Sequence, residues 1–372
     1  MKREELRTPC YVIMESEMKK NLQILQEIRQ QSGCKILLAQ KAFSMYSCYP
    51  LIGEYLDGTT ASGLYEAKLG KECMGKENHI FSPAYREDEF EEVLANCEHL
   101  VFNSFSQLEK FGERAANAGK SVGIRVNPEC STQEEHAIYD PCAPGSRLGI
   151  LASEFPETLP SYVEGLHFHT LCEQNADALE ITLKAVEEKF GKWMKQLKWV
   201  NFGGGHHITR ADYDRELLIS CVRRIQDTYN VQVYLEPGEA VALNAGHLIT
   251  TVEDIVHNDI AVLDVSAACH MPDVIEMPYR PPLFDSGEAK EKEYTYLLGG
   301  PTCLAGDVIG SYSFDRPLKV GDRLTFGDMA IYTTVKNNTF NGMRLPDIVW
   351  ERESGECEIV KSFGYEDFKC RL

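Results

Sequence analysis

The sequence predicts an α/β protein, a (β/α)8 barrel of the TIM type followed by an antiparallel, sandwich-like β domain. Three observations carry that prediction. From about residue 15 to 236, a short β-rich run, a turn and ten or more residues of helical periodicity follow one another repeatedly. Eight candidate strands fall in that stretch, and parallel strands alternating with helices close most simply into a barrel. Beyond residue 245 the helical rhythm stops, and short β-type runs alternate with Gly, Pro and Asp turns.

The strands expected in the barrel are Lys35–Ala39, Gly58–Ala61, His79–Phe81, His99–Phe102, Ser121–Val126, Glu164–Phe168, Trp199–Phe202 and Gln232–Leu235. Between them, Arg86–Ala95 has an acidic first turn, Ser106–Ala118 has Ser106 as its expected N-cap, and Ala176–Gln196 has helical spacing. An open doubly wound sheet is the alternative, but Ala39-Gln40-Lys41-Ala42-Phe43 stands where its G-x-G-x-x-G fingerprint belongs. The barrel is therefore expected over residues 14–242 and the β domain over 243–372. Tyr11-Val12-Ile13 is strand-like and precedes the first helix, so residues 1–13 are expected to join the β domain.

Composition narrows the function. The chain has 372 residues, 43% hydrophobic and 26% charged, and no run of eighteen apolar residues. Transmembrane, collagenous and disordered classes are excluded. Its formal charge of −19 repels phosphate backbones and anionic lipid, which argues against nucleic acid or a membrane as partner and suits a cationic small molecule. The first residues, MKREELRTPC, carry charge without an apolar stretch, so a cytoplasmic location is expected. The 13 cysteines are scattered without C-x-x-C spacing, which reads as free thiols in a reducing compartment.

Reactive groups of such a barrel cluster where its strands end, because the loops there surround one mouth. Those positions are Lys41, Ser62, Arg125 with Asn127, His169, Gly203-Gly204-Gly205 and Glu236. A lysine between apolar walls has a depressed pKa and can form a Schiff base, the attachment that pyridoxal phosphate uses; an ordinary lysine is a solvated surface group. Three glycines after a strand offer bare amides to a phosphate, or simply make a turn. Glu236-Pro237-Gly238 can hold a pyridine nitrogen protonated, or be a solvated turn. His167-Phe168-His169 and His206-His207, with Glu236, also invite a zinc-hydrolase reading, but H-E-x-x-H spacing is missing and no metal is expected. In the β domain, Gly300-Pro301-Thr302-Cys303 with Asp307 brings a thiol and a carboxylate to a turn-rich segment, and Tyr332 follows Gly327-Asp328-Met329-Ala330. Each is ordinarily a structural residue.

Jointly these residues resemble the fold-type III pyridoxal-phosphate decarboxylases, over nearly the whole chain. Within that family, Gln40-Lys41-Ala42-Phe43, Leu166-His167-Phe168-His169, Asn201-Phe202-Gly203-Gly204-Gly205-His206-His207-Ile208-Thr209 and Glu236-Pro237-Gly238-Glu239 most resemble the carboxynorspermidine (carboxyspermidine) decarboxylase branch. The resemblance implies that Lys41 carries the cofactor aldehyde, His169 stacks on its ring, Glu236 pairs with its nitrogen, and Gly203, Gly204, Gly205 and Tyr332 bind its phosphate. It implies a homodimer with shared active sites, in which Cys303 of the other subunit gives a proton after carbon dioxide leaves. The substrate would be a carboxylated polyamine, with Glu239, Asp273 and Asp307 facing its amines. Asp307 would alternatively bridge the subunits to Arg147. Relatives usually show Glu-Pro-Gly-Arg where Glu239 stands here, and the ornithine enzyme has an aspartate where Leu304 stands. Decarboxylation of arginine, lysine or ornithine, and a non-catalytic cofactor-binding regulator, are the alternatives.

Overall fold

A computed structural model describes residues 1–133 and 137–372, and it divides into two compact units. Residues 21–241 form one; residues 1–20 together with 242–372 form the other.

The first unit is a closed barrel. Its strands are β2 (Lys35–Ala39), β3 (Gly58–Ala61), β4 (Glu77–Phe81), β5 (His99–Phe102), β6 (Ser121–Asn127), β8 (Val163–His167), β9 (Trp199–Asn201) and β10 (Gln232–Leu235), after an N-terminal β1 (Cys10–Met14). All eight barrel pairings are parallel, and β10 pairing with β2 closes the ring that runs through β5 and β6. A two-residue strand, β7 (Ile150–Leu151), adds to the end of β6.

Closure requires space between strands. Trp199 lies across β6 and β8: a Cβ at Gly165 would stand 1.9 Å from its Cε2, and one at Gly123 2.3 Å from its Cη2. Glycine at both positions admits the indole, whose Nε1–H donates to Ser121 Oγ at 2.8 Å. Beside it is a polar layer. Glu77 accepts hydrogen bonds from Lys35 Nζ at 2.6 Å and Tyr234 Oη at 2.8 Å, with His79 Nε2 at 2.8 Å, and the His79 and His99 rings stack with centroids 4.0 Å apart.

The helices differ from expectation in their starts. The 86–95 segment becomes helical only at Phe90, because Arg86 folds onto Asp88 in the preceding turn. The next helix runs from Phe105 to Asn117, and its N-cap is Ser104 rather than Ser106: Ser104 Oγ accepts Gln107 N–H at 3.2 Å, while Ser106 already lies in the first turn. Its buried Leu108, Phe111 and Ala115 follow helical spacing and face the barrel.

The second unit is a mostly antiparallel sheet in the order β14 (Val308–Phe314), β13 (Tyr294–Gly299), β12 (Ile260–Leu263), β11 (Gly246–Val256), β1, β16 (Asp347–Glu351), β17 (Cys357–Lys361), with β15 (Arg323–Phe326) also on β11. Two pairings are parallel, β1 with β16 and β12 with β13. β1 is buried along its whole length, and its antiparallel register on β11 places Cys10 opposite Ile249. No helix among the described residues is long and apolar enough to cross a membrane.

The polar layer makes stability depend on pH. Burial, with the neighbouring His79, lowers the His99 pKa from 6.5 to about 3. Burial pushes the Glu77 carboxyl up, but its bonds to His79, Lys35 and Tyr234 prevail and hold it well below the usual carboxylate range. As pH falls below 6.5 the unfolded chain binds the His99 proton and the folded chain does not, so stability is lost through that window; Glu77 adds a further loss below its ordinary carboxylate range. The urea midpoint should therefore drop between about pH 7.5 and about pH 5, and His99→Phe should shrink that drop. Equal midpoints at the two pH values would contradict it.

Candidate active site

The C-terminal ends of the barrel strands enclose a cavity of about 270 Å³ whose walls include Lys41, Ser62, Arg125, Arg147, His167, His169 and Glu236. All but Arg147, which lies in the segment between β6 and β7, come from the ends of barrel strands or the residues just after them. Lys41 follows β2 by two residues, Ser62 follows β3, Arg125 is on β6, His167 closes β8 with His169 beyond it, and Glu236 follows β10.

Lys41 is reached by water inside this concave site, yet protein surrounds it. That enclosure, with the Arg125 cation, lowers its pKa, and Glu236 opposes the shift. Arg125 is 5% exposed and stacks over the Phe81 ring at 4.5 Å; burial brings its pKa to about 10, against the opposing pull of Glu236.

Glu236 is 7% exposed. Burial alone would raise its pKa, but His167, His79 and a hydrogen bond from Asn201 Nδ2 at 2.8 Å outweigh it and hold the carboxyl at about 2. His167 Nε2 stands 3.4 Å from Oε2, and burial lowers the pKa of that ring too. At neutral pH the pair is a carboxylate beside a neutral imidazole.

The glycine run packs against Glu236 and His169. Glu236 N–H donates to Gly203 O at 2.8 Å, and Gly204 N–H donates to His169 Nδ1 at 3.2 Å. Gly203 and Gly205 have φ of +70° and +82°, and a Cβ on Gly205 would stand 2.0 Å from Leu171 O. Gly238 permits another close approach, since its Cβ would lie 2.5 Å from Ala42 Cβ, next to Lys41. Glu239 bonds His207 Nε2 at 2.8 Å, and Arg210 Nη1 lies 3.4 Å from the other ring nitrogen.

The second unit carries the remaining four residues. Cys303 is exposed, and its N–H donates to Asn341 Oδ1 at 2.7 Å. Asp307 is 4% exposed and accepts from Ser266 Oγ at 3.0 Å, Thr302 Oγ1 at 2.7 Å, and the Thr302 and Ala268 N–H groups at 3.3 Å. Asp273 forms an ion pair with Lys336. Tyr332, with φ +53°, caps the short helix Thr333–Lys336.

Three residues had no assigned role in the sequence reading. Asn201 and Arg125 stand at strand ends. Glu66, on the helix after β3, accepts Ser62 N–H at 2.6 Å; burial raises its pKa while Lys41 lowers it. An acidic residue in the first turn of the helix after a barrel strand was the available signal.

This set fits pyridoxal phosphate. A pyridinium N–H needs a persistent anion, supplied by Glu236; an aldehyde needs an amine with a lowered pKa, supplied by Lys41. The glycine run lacks side chains that would keep a phosphate from the backbone, although the Gly203 and Gly204 N–H groups are turned to Asn201 Oδ1 and His169 Nδ1. His167, His169 and Glu236 also bring ligand atoms within 4.8 Å of one another. A dication there would face Lys41 and Arg125, and His169 Nδ1 already accepts from Gly204.

Comparison with known proteins agrees. The family described as "Pyridoxal-dependent decarboxylase, C-terminal sheet domain" matches residues 10–330. The carboxynorspermidine/carboxyspermidine decarboxylase of Campylobacter jejuni is 47% identical, with 99% of each chain covered. The carboxyaminopropylagmatine decarboxylase of Synechocystis is 41% identical over 99% of this chain and 96% of its own. The crystal structure of the Campylobacter jejuni carboxynorspermidine decarboxylase, complexed with norspermidine, superimposes with a TM-score of 0.92 at 46% identity, covering 99% of this chain and 100% of that one. The chain belongs to the pyridoxal-dependent decarboxylases.

Proposed function

We propose that this protein removes the carboxyl group of carboxynorspermidine, carboxyspermidine or both, releasing norspermidine or spermidine in polyamine biosynthesis. The observation that carries this reading is the buried anion Glu236 in one cavity with an enclosed lysine, in a chain 47% identical to an enzyme of that name. The 41% identity to a carboxyaminopropylagmatine decarboxylase supports that substrate as the second reading.

When bound, pyridoxal phosphate supplies the electron sink for the pair left behind by carbon dioxide. The chain's own residues do the rest. Lys41 would hold the aldehyde, because enclosure and Arg125 disfavour its ammonium form and leave the amine available for attachment. Glu236 keeps a proton on the ring nitrogen opposite, and its low pKa prevents it from taking that proton itself. His169, fixed through Nδ1 by Gly204, offers its ring as a stacking face. Gly203, Gly204, Gly205 and Tyr332 are assigned to the phosphate. Cys303, held by Asn341, delivers the proton that replaces the carboxyl, and it does so from the other subunit of a homodimer. Glu239 and Asp273 are assigned to the substrate amines; Asp307, expected to join them, is instead assigned to ordering the loop that presents Cys303, because it is buried and both of its oxygens are taken by Ser266, Ala268 and Thr302. The net charge of −19 favours the approach of a polycation.

Product analysis with carboxynorspermidine, carboxyspermidine, carboxyaminopropylagmatine, ornithine, arginine and lysine tests the assignment. Turnover of the first two at least about tenfold above the rest in kcat/KM is expected, a difference of about 1.4 kcal/mol. Preference for the third establishes the second reading.

Borohydride reduction of the holoenzyme followed by peptide mapping should fix the cofactor to Lys41, and Lys41→Ala should take no label. Label on another lysine would overturn the attachment site. Glu236→Gln should keep cofactor but lose most turnover, since a neutral amide does not hold the ring nitrogen protonated. Turnover within about threefold of wild type, about 0.7 kcal/mol of barrier, contradicts that role.

Lys41→Ala and Cys303→Ala homodimers should each be inactive, whereas refolding the two together at equal concentration should restore about a quarter of wild-type activity, because a hybrid dimer collects both lesions in one site and leaves the other intact. No recovery despite demonstrated hybrids would place both groups on one chain.

A further inference from the structure

Asn201 closes β9, is fully buried, and has its amide engaged at both ends. Nδ2–H donates to Glu236 Oε1 at 2.8 Å, and Oδ1 accepts Gly203 N–H at 2.8 Å. These partners fix the amide's orientation, because a carboxylate has no proton to give and a backbone N–H cannot accept one. We propose that Asn201 is a positioning residue that ties the Glu236 carboxylate to the glycine loop, so that a single amide sets both the nitrogen end and the phosphate end of the cofactor seat. The proposal rests on the reading in which Glu236 holds the ring nitrogen.

The geometry leaves these two groups few substitutes. Asn201 makes a closer contact with the Glu236 carboxylate, at 2.8 Å, than His167 does at 3.4 Å. The other charged or titratable groups facing Glu236 are Lys41 beyond β2, His79 on β4, Arg125 on β6 and His167 on β8. Arg125 directs an Nη2–H to His169 O at 3.2 Å, and His167 Nε2 stands farther from the carboxylate, 3.4 Å from Oε2. A buried carboxylate stripped of its donor retains a proton to higher pH. Gly203 depends on Asn201 equally: its φ of +70° turns the N–H back onto Oδ1, and a Cβ there would stand 2.6 Å from Phe168 O, so the turn has no alternative residue. Losing the amide frees a buried N–H and loosens the segment assigned to the phosphate.

The test compares Asn201→Leu, which keeps the branching at Cγ but is bulkier and bonds neither partner, with Asn201→Asp, which matches both shape and size. Two quantities are read: the cofactor dissociation constant, by titrating pyridoxal phosphate back after dialysis of the purified holoenzyme, and the pH profile of kcat/KM. Asn201→Leu should raise the dissociation constant about tenfold or more and move the acid limb of the profile to higher pH, because Glu236 then takes up a proton earlier as pH falls. In Asn201→Asp the new carboxyl donates to Glu236 only while it holds a proton, so affinity and activity should both fall as pH rises from about 6 to about 9, opposite to the wild-type acid limb. Should Asn201→Leu not fold, the slope of Asn201→Asp decides. A lower melting temperature with wild-type cofactor affinity and an unshifted profile would reduce Asn201 to a structural residue and overturn the proposal, as would an Asn201→Asp enzyme whose profile matches wild type. Glu236→Gln, measured in parallel, separates the two failures: near wild-type turnover there sinks the ring-nitrogen reading, whereas wild-type affinity in Asn201→Leu sinks the coupling.

Discussion

The site depends on one electrostatic constraint: Glu236 must remain charged while almost out of contact with water. A buried carboxylate ordinarily relieves its desolvation by binding a proton. Here the barrel supplies compensation from several strands at once, the Asn201 amide from β9, the His167 ring from β8 and the Arg125 cation from β6. Such convergence requires a closed ring of strands, since neighbouring strand ends then point at a common axis. The same field acts on Lys41 in the opposite sense, because Arg125 disfavours its ammonium form. One set of charges therefore keeps the acid ionised and the amine available.

Close packing provides the second condition. The glycines are positions where chain meets chain: Gly204 would place a Cβ 2.5 Å from Glu236 O, Gly238 has Ala42 against it, and Gly123 and Gly165 make room for Trp199. The first two bring the loops after β9, β10 and β2 within reach of one another at the mouth. The second two let a large indole fill the barrel beneath it. In the other unit the same economy appears with polar groups, where the buried Asp307 ties Ser266 and Ala268, at the start of the Ala267–His270 helix, to Thr302, the neighbour of Cys303.

Much of the barrel was legible because its signals are local. The alternation of β runs and helices located the eight strands to within two residues, and the end of each strand pointed to Lys41, Arg125, His169, Gly203 and Glu236. Helix starts were less legible. Ser104 and Ser106 are both good N-caps by residue type, and only the backbone of Ser104, with φ −153° and ψ 159°, shows which one stands outside the helix. Asn201 stood in a recognised motif but had no role, because an asparagine at a strand end is chemically unremarked until its two partners, one of them 35 residues away, are seen around it.

The sequence by itself determined the periodicity, the glycine and proline punctuation and the residue types at strand ends, all set by interactions a few residues apart. It thereby determined the barrel and the chemistry the barrel could hold. Only tertiary structure decided the protonation of Glu236, the lowered pKa of Lys41, the parallel pairing of β1 with β16 and the pairing of Glu239 with His207. A pKa is the sum of burial and of charges contributed by separate strands, and a strand pairing joins segments more than three hundred residues apart in the chain. Neither quantity exists in any local stretch of sequence: the pKa values arise when the ring of strands closes around the site, and the β1–β16 pairing arises when the N-terminal strand enters the sheet of the other unit.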